Sequence, residues 1–213
     1  MTEFFGAWEQ RVVFLDELAA SEHEPEAFLL ASCYIEALGH GLYPDCEGSQ
    51  RAFCKALIEH GGSAVFGGHH PRALKDWLTH AQEAWARGVA VKVGAVLDGL
   101  IGTLFTEGEL RRALEPYVTT AEMRHLTPSL WHATYAAVVY TDTRSEAVHN
   151  FPATAVEFSA STFGGQAVPA INYRLLAPAL KAILMHCEKV SFESRLYFGH
   201  DLRKLFSATS SKV

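Results

Sequence analysis

Apolar residues recur at three- and four-residue steps along most of the chain. Phe5, Trp8, Val12, Leu15 and Ala19 trace one face of an amphipathic helix predicted over about Thr2–Ala20. Glu24-Pro25 opens a second helix, since proline has no N–H to lose at the first helical position. Its stripe runs through Phe28, Ala31, Ile35, Leu38 and Leu42 until Gly39 and Gly41 loosen it, and the two helices are expected to pack antiparallel. A third helix is predicted from Ser49 to His60 through Phe53, Leu57 and Ile58, with Gly61-Gly62 as its stop. Residues 61–71 are glycine-rich and read as a loop, and Arg72 to Arg87 returns to helical composition with Leu74, Trp77, Leu78, Ala81 and Trp85. Gly88 to Phe105 is apolar, but Lys92, Asp98 and four glycines interrupt it, which favours a buried helix or helix pair over a membrane span.

Further along, Thr119 and Glu122 stand in the relation of a capping box, and Thr127-Pro128 marks another helix start. Leu130, Trp131, Tyr135, Val138 and Val139 then form a buried helix. Beyond Pro152 the pattern changes to alternation: Val156 and Phe158 on one run, a tight Gly164-Gly165 turn, and Val168 and Ile171 on the return, where Pro169 favours an edge strand. Leu176, Leu180, Ile183, Cys187 and Val190 mark a closing helix over residues 174–190, and a polar tail follows. The fold class expected is mainly α: a helical bundle with one small β-hairpin insertion near residues 154–173. It reads as a single domain over 1–213 with its core in 2–151.

The chain has 213 residues, 49% of them hydrophobic, which is enough for a real core. Its start, Met1-Thr2-Glu3-Phe4-Phe5, lacks the basic and apolar regions of a secretory signal, so a cytoplasmic location without membrane association is expected. Cys33, Cys46, Cys54 and Cys187 fall at no C-x-x-C spacing and read as free thiols rather than a zinc or disulfide framework. The net charge of −6 argues against a broad nucleic-acid-binding surface. From Asn172 onward, however, Arg174, Lys181, Lys189, Arg195, Arg203, Lys204 and Lys212 outnumber Glu188, Glu193 and Asp201, as a phosphate-attracting face or a solvated helix surface would require.

Several polar groups deserve a chemical reading. Gly67-Gly68-His69-His70 is followed by no Walker-type lysine and has no third ligand near it, so neither phosphate nor metal is assigned there. His125 and His132 are seven residues apart, too wide on a helix for direct metal binding, and read as core or surface histidines. No metal or cofactor is expected. The most informative segment is Arg144-Ser145-Glu146-Ala147-Val148-His149. Thr143 and Glu146 form a capping box that starts a helical turn with Arg144 at its first position. A guanidinium holds phosphate bidentately, and an imidazole exchanges protons near neutral pH, so the pair suits phosphodiester cleavage. Five residues on a helix turn roughly 140° and rise about 7.5 Å, a separation that a long arginine can bridge at a helix end.

A mainly helical chain in which a buried helix leads into Arg-polar-x-x-x-His resembles the HEPN family. Arg144, Ser145 and His149 carry the likeness, and the Ala31–Leu38 segment is similar to an early helix of bacterial members. The resemblance implies a metal-independent endoribonuclease, a toxin or anti-phage defence effector, with a composite site built from two protomers. Its partners would be RNA, a second copy of the chain, and an antitoxin or regulatory protein. Arg144 and His149 would be catalytic, leaving a 2′,3′-cyclic phosphate. Ser145 would contact phosphate or orient the histidine, or else simply belong to the capped turn, and Glu36 would either support the site or be solvated on its helix. Phe151 stands where related toxins carry a tyrosine open to nucleotidylation, which argues against that control here. The alternative is a non-catalytic HEPN-like binding or dimerisation module of a two-component system.

Overall fold

The computed structural model describes residues 2–141 and 162–194 and the short strands Leu196–Tyr197 and His200–Asp201. These residues are mainly helical, and their contacts group them into two units. The first comprises residues 2–63 together with the described residues from 172 onward, and the second comprises 64–141 with 162–171.

The first unit contains α1 (Thr2–Ala20), α2 (Glu24–Leu42) and α3 (Ser49–His60), followed much later in the chain by the long helix Tyr173–Ser194. The bounds of the first three match their apolar stripes. Phe5, Trp8, Val12 and Leu15 of α1 are buried, as are Phe28, Ala31, Ile35 and Leu38 of α2 and Phe53 and Leu57 of α3. Ile58, expected on the α3 stripe, is 40% exposed, and Cys54 is buried in its place.

Gly39 has a stronger role than loosening α2. A Cβ there would lie 2.8 Å from the Ala52 carbonyl oxygen and 3.2 Å from Ala56 Cβ, so hydrogen at this position lets α2 and α3 approach closely. Gly39→Ala should therefore destabilise the protein by about 1–3 kcal/mol through overpacking, outweighing a helix-propensity gain of about 1 kcal/mol. A denaturant midpoint that rose on this substitution would contradict the close approach.

The second unit contains a 3₁₀ turn (Ala64–Gly67), α4 (Pro71–His80), α5 (Ala84–Gly99), α6 (Glu107–Leu114), a 3₁₀ turn (Glu115–Tyr117), α7 (Thr120–Leu126), a 3₁₀ segment (Thr127–Ala133) and α8 (Tyr135–Val138). The expected helix over 72–87 is two helices. Ala81 and Glu83 are extended, and the Arg87 guanidinium donates to the carbonyls of Ala81 and Gln82, satisfying backbone acceptors at the break. α5 is amphipathic rather than fully buried: Ala86, Val89, Val93 and Leu97 face the core while Val91 is 87% exposed. The capping box at Thr119 is present, with Glu122 N–H donating to Thr119 Oγ1 at 3.2 Å and Thr119 N–H donating to Glu122 Oε2 at 2.8 Å.

β1 (Thr162–Phe163) and β2 (Gln166–Ala167) form the small hairpin. Its loop is Gly164-Gly165, both at positive φ, the backbone that a tight two-residue hairpin turn demands. The strands are shorter than the alternation suggested: β2 ends before Val168, while Val156 and Phe158 lie outside the described residues. Thr162 also pairs with the 102–104 segment, through its N–H to the Gly102 carbonyl and its own carbonyl from Leu104 N–H.

The closing helix, α9, is Tyr173–Ser194, longer than 174–190. Leu176, Leu180, Ile183 and Cys187 are buried as expected, but Ser191 rather than Val190 continues the stripe. A 3.6-residue period carries the buried face to the fourth residue at that turn. Tyr173 Oη and Lys181 Nζ both donate to the Asp16 carboxylate at 2.8 Å, tying α9 to α1. Where a polar tail was expected, β3 (Leu196–Tyr197) and β4 (His200–Asp201) pair antiparallel. Among the described residues, no helix is long and apolar enough to cross a membrane.

Candidate functional site

Among the described residues of the first unit, a connected group of titratable side chains lies where the end of α2 meets α3 and α9. Tyr43 is the residue after α2, its N–H donating to the Gly39 carbonyl. Glu59 and His60 are the last two residues of α3, which Gly61 ends, and His186 comes from α9. Tyr43 Oη lies 2.6 Å from Glu59 Oε2 and 2.7 Å from His60 Nε2. A phenol has one proton, and the carboxylate can only accept it. His60 therefore donates from Nε2 to Tyr43, and Tyr43 donates to Glu59.

The His60 ring stacks on His186 with centroids 3.7 Å apart and planes 13° from parallel. Lys55 Nζ sits 4.2 Å above the Tyr43 ring and 4.0 Å from Glu59 Oε1. Burial first, and then the facing His186, hold the His60 imidazole below its ordinary range against the pull of Glu59. Burial and then the Glu59 carboxylate raise the Tyr43 phenol, so it remains a proton donor at neutral pH. With His60 Nε2 committed to Tyr43, its Nδ1 is the nitrogen left to take a proton, which makes this group a short acid–base relay.

The sequence-derived candidates are placed unevenly. Glu36 lies half-buried on α2, seven residues before Tyr43, two helical turns or about 10 Å along the axis. Arg144, Ser145 and His149, the capping pair Thr143 and Glu146, and Phe151 lie outside the described residues. All four cysteines are free, and burial pushes the Cys54 and Cys187 thiols up to about 12, which makes both inert as nucleophiles.

In the second unit, the glycine-histidine segment is built into the backbone rather than left as a loop. His69 N–H donates to the Phe105 carbonyl and the His69 carbonyl accepts Phe105 N–H in return, while His70 N–H donates to the Ala133 carbonyl and the Gly68 carbonyl accepts Tyr135 N–H. Those amide groups are thus spent on pairing and cannot cradle a phosphate. His70 caps α4, its Nδ1 accepting Ala73 N–H at 3.4 Å. Among the described residues no three His, Cys, Asp or Glu side chains are grouped to hold a metal ion.

No protein-family model, curated protein or solved structure matches this chain. Tyr43, Glu59, His60 and His186 were not legible as a group, because each has an ordinary local explanation and only the packing of α9 on α3 brings His186 to His60.

Three histidines make stability depend on pH. Burial is the first cause of a lowered pKa for His60, His69 and His70. The unfolded chain, titrating near 6.5, takes up protons while the native imidazoles are still neutral, so acid favours unfolding. Their contribution is complete above 6.5 and is lost as pH falls toward the lower native values. Protonation at His70 Nδ1 also removes the α4 cap and places a cation at a helix N-terminus. A second loss follows from Glu122, whose pKa the Lys92 hydrogen bond and the Thr119 cap lower to about 2: it sets in below 4.5 and is complete near 2. Denaturant midpoints that stayed level from pH 8 to pH 5 would contradict the histidine part.

Proposed function

We propose that this chain is a metal-independent endoribonuclease of the HEPN type, a cytoplasmic toxin or anti-phage effector acting as a homodimer. The observation that carries the reading is where the R-x4-H hexapeptide falls. It begins three residues after Thr141, at the end of a buried segment in which Tyr135, Ala136, Ala137, Val138 and Val139 are all shielded from solvent. Residues 139–141 form a π turn, a helix irregularity that recurs at functional sites. The mainly helical architecture is also the class that the family resemblance requires.

In this reading His149 of one protomer removes the proton of a ribose 2′-hydroxyl, whose oxygen attacks the adjacent phosphorus. The 5′-oxygen bond breaks, and the leaving oxygen takes a proton from the second protomer's copy of the same histidine. Arg144 stabilises the charge gathering on the phosphoryl oxygens, and Ser145 binds phosphate or holds the imidazole. Two arginines meeting in one cleft make a locally positive site on a chain of net charge −6. Glu36, on α2, would orient that site, and an antitoxin or regulator would act on it by a route other than tyrosine modification at position 151.

Purified protein incubated with total RNA should cleave it, and Arg144→Ala should not. Specific activity should fall on dilution through the dimer dissociation constant, since each site needs two chains. Constant specific activity from a strictly monomeric protein would refute the composite site. The acidic net charge favours a second reading, a non-catalytic helical dimerisation module. That reading predicts a dimer with no RNA cleavage at any concentration.

A further inference from the structure

His60 and His186 meet face to face across two helices. His60 ends α3 and His186 lies on α9, and their ring centroids are 3.7 Å apart with planes 13° from parallel. An imidazole lone pair lies in its ring plane, so two nearly parallel rings cannot share one metal ion at bonding distance. His60 is fixed from its other side, where Nε2 donates to Tyr43 Oη at 2.7 Å and Tyr43 donates to Glu59 Oε2 at 2.6 Å. Lys55 and Glu59 of α3 are the charged groups that act on His60 besides His186, while Cys46, in the loop after α2, and Cys187 of α9 face Tyr43. Lys55 and Glu59 offset each other at 4.0 Å, and the raised Tyr43 phenol and Cys187 thiol stay neutral where imidazole titrates. Below neutral pH, the charge between the two helices is therefore set by the histidine pair.

We propose that this stack is a pH-sensitive latch: the closed pair tolerates one proton, and a second drives the end of α3 away from α9. A single imidazolium over the face of a neutral ring is a favourable arrangement, and the Glu59 carboxylate, 4.0 Å from His60 Nε2, balances its charge. A second proton puts two cations in contact at a partly buried place, where solvent and salt screen their repulsion poorly. Once α3 lets go, water reaches both rings and each binds its own proton. The open state thus holds one proton more than the closed state, so acid favours opening, and above the ordinary imidazole value of about 6.5 the latch is shut. Gly61-Gly62 follows His60 directly, with Gly62 at positive φ, and supplies the joint about which the last turn of α3 moves. Phenylalanine at either position would fill the same space without this response.

The test is hydrogen exchange on the full chain from pH 7.5 to pH 5.0, with rates corrected for the intrinsic pH dependence of amide exchange so that they report opening. Amides in the last turn of α3 and around His186 should open about tenfold more at pH 5.0 than at pH 6.5, the effect of one extra proton, while those of α1 and the first half of α2 hold. His60→Gln keeps a donor for Tyr43 but takes no proton, and should reduce the rise to less than about twofold. His186→Phe keeps a ring on the stack but removes the repelling charge, and should cut the rise to about threefold or less. Either variant decides the matter if the other folds poorly. Wild-type opening that stays level with pH, or an undiminished acid rise in either variant, would overturn the latch. So would α1 and α2 opening in step with α3 and α9, which is unfolding of the whole unit.

Discussion

Truncating Phe53 to alanine is expected to lower the unfolding free energy by about 3–5 kcal/mol, the usual range for deleting a buried aromatic side chain. Phe53 is fully buried on α3, the helix that packs against both α2 and α9. The same helix meets α2 closely at Gly39, where the Ala52 backbone abuts it, which limits how far α3 can shift to fill a hole. Urea denaturation measures the change directly. A loss below about 1 kcal/mol would mean that α3 does not occupy the centre of its unit.

The largest effect on activity is expected at His149. Loss of a positioned general acid or base lowers rate by about 10²–10⁴-fold, and His149→Ala should reach at least that range because both copies in a dimer are removed together. The folding transition should barely move, since a site histidine contributes little packing. An unfolding free energy lowered by several kcal/mol, the scale of a core truncation, would instead assign His149 a structural role.

Helix positions were legible where local chemistry and burial agree. Glu24-Pro25, Gly61-Gly62 and the Thr119–Glu122 capping box fix boundaries by the conformations they permit, and the stripes of α1 to α3 bury at most of their positions, Ile58 being the exposed exception on α3. Other features depend on partners that no local pattern reveals. The break between α4 and α5 contains neither glycine nor proline and is satisfied by a guanidinium reaching back from Arg87. The glycine-histidine segment gains its order from pairing with Phe105, Ala133 and Tyr135, all distant in sequence. Gly39 looked like a helix weakness because a stripe cannot show what crosses it.

The candidate chemistry divides in the same way. Arg144 and His149 were conspicuous because both residue types and their spacing sit within six positions, next to a buried segment that the structure retains. The Tyr43–Glu59–His60–His186 relay is assembled from the end of α2, α3 and α9, and the rings of Trp77, Trp85, His125 and His132 come together from four elements. His125 and His132, read singly as surface or core histidines, contact the Trp85 and Trp77 rings across tertiary structure.

The ends of the cleaved RNA test the central claim most directly. Mass spectrometry of products from a defined oligoribonucleotide should show 2′,3′-cyclic phosphate on one side of each break and a 5′-hydroxyl on the other, with no cleavage where the 2′-hydroxyl is replaced by O-methyl. Intact RNA after prolonged incubation, 3′-hydroxyl ends, or equal cleavage of the O-methylated strand would contradict the mechanism assigned to Arg144 and His149.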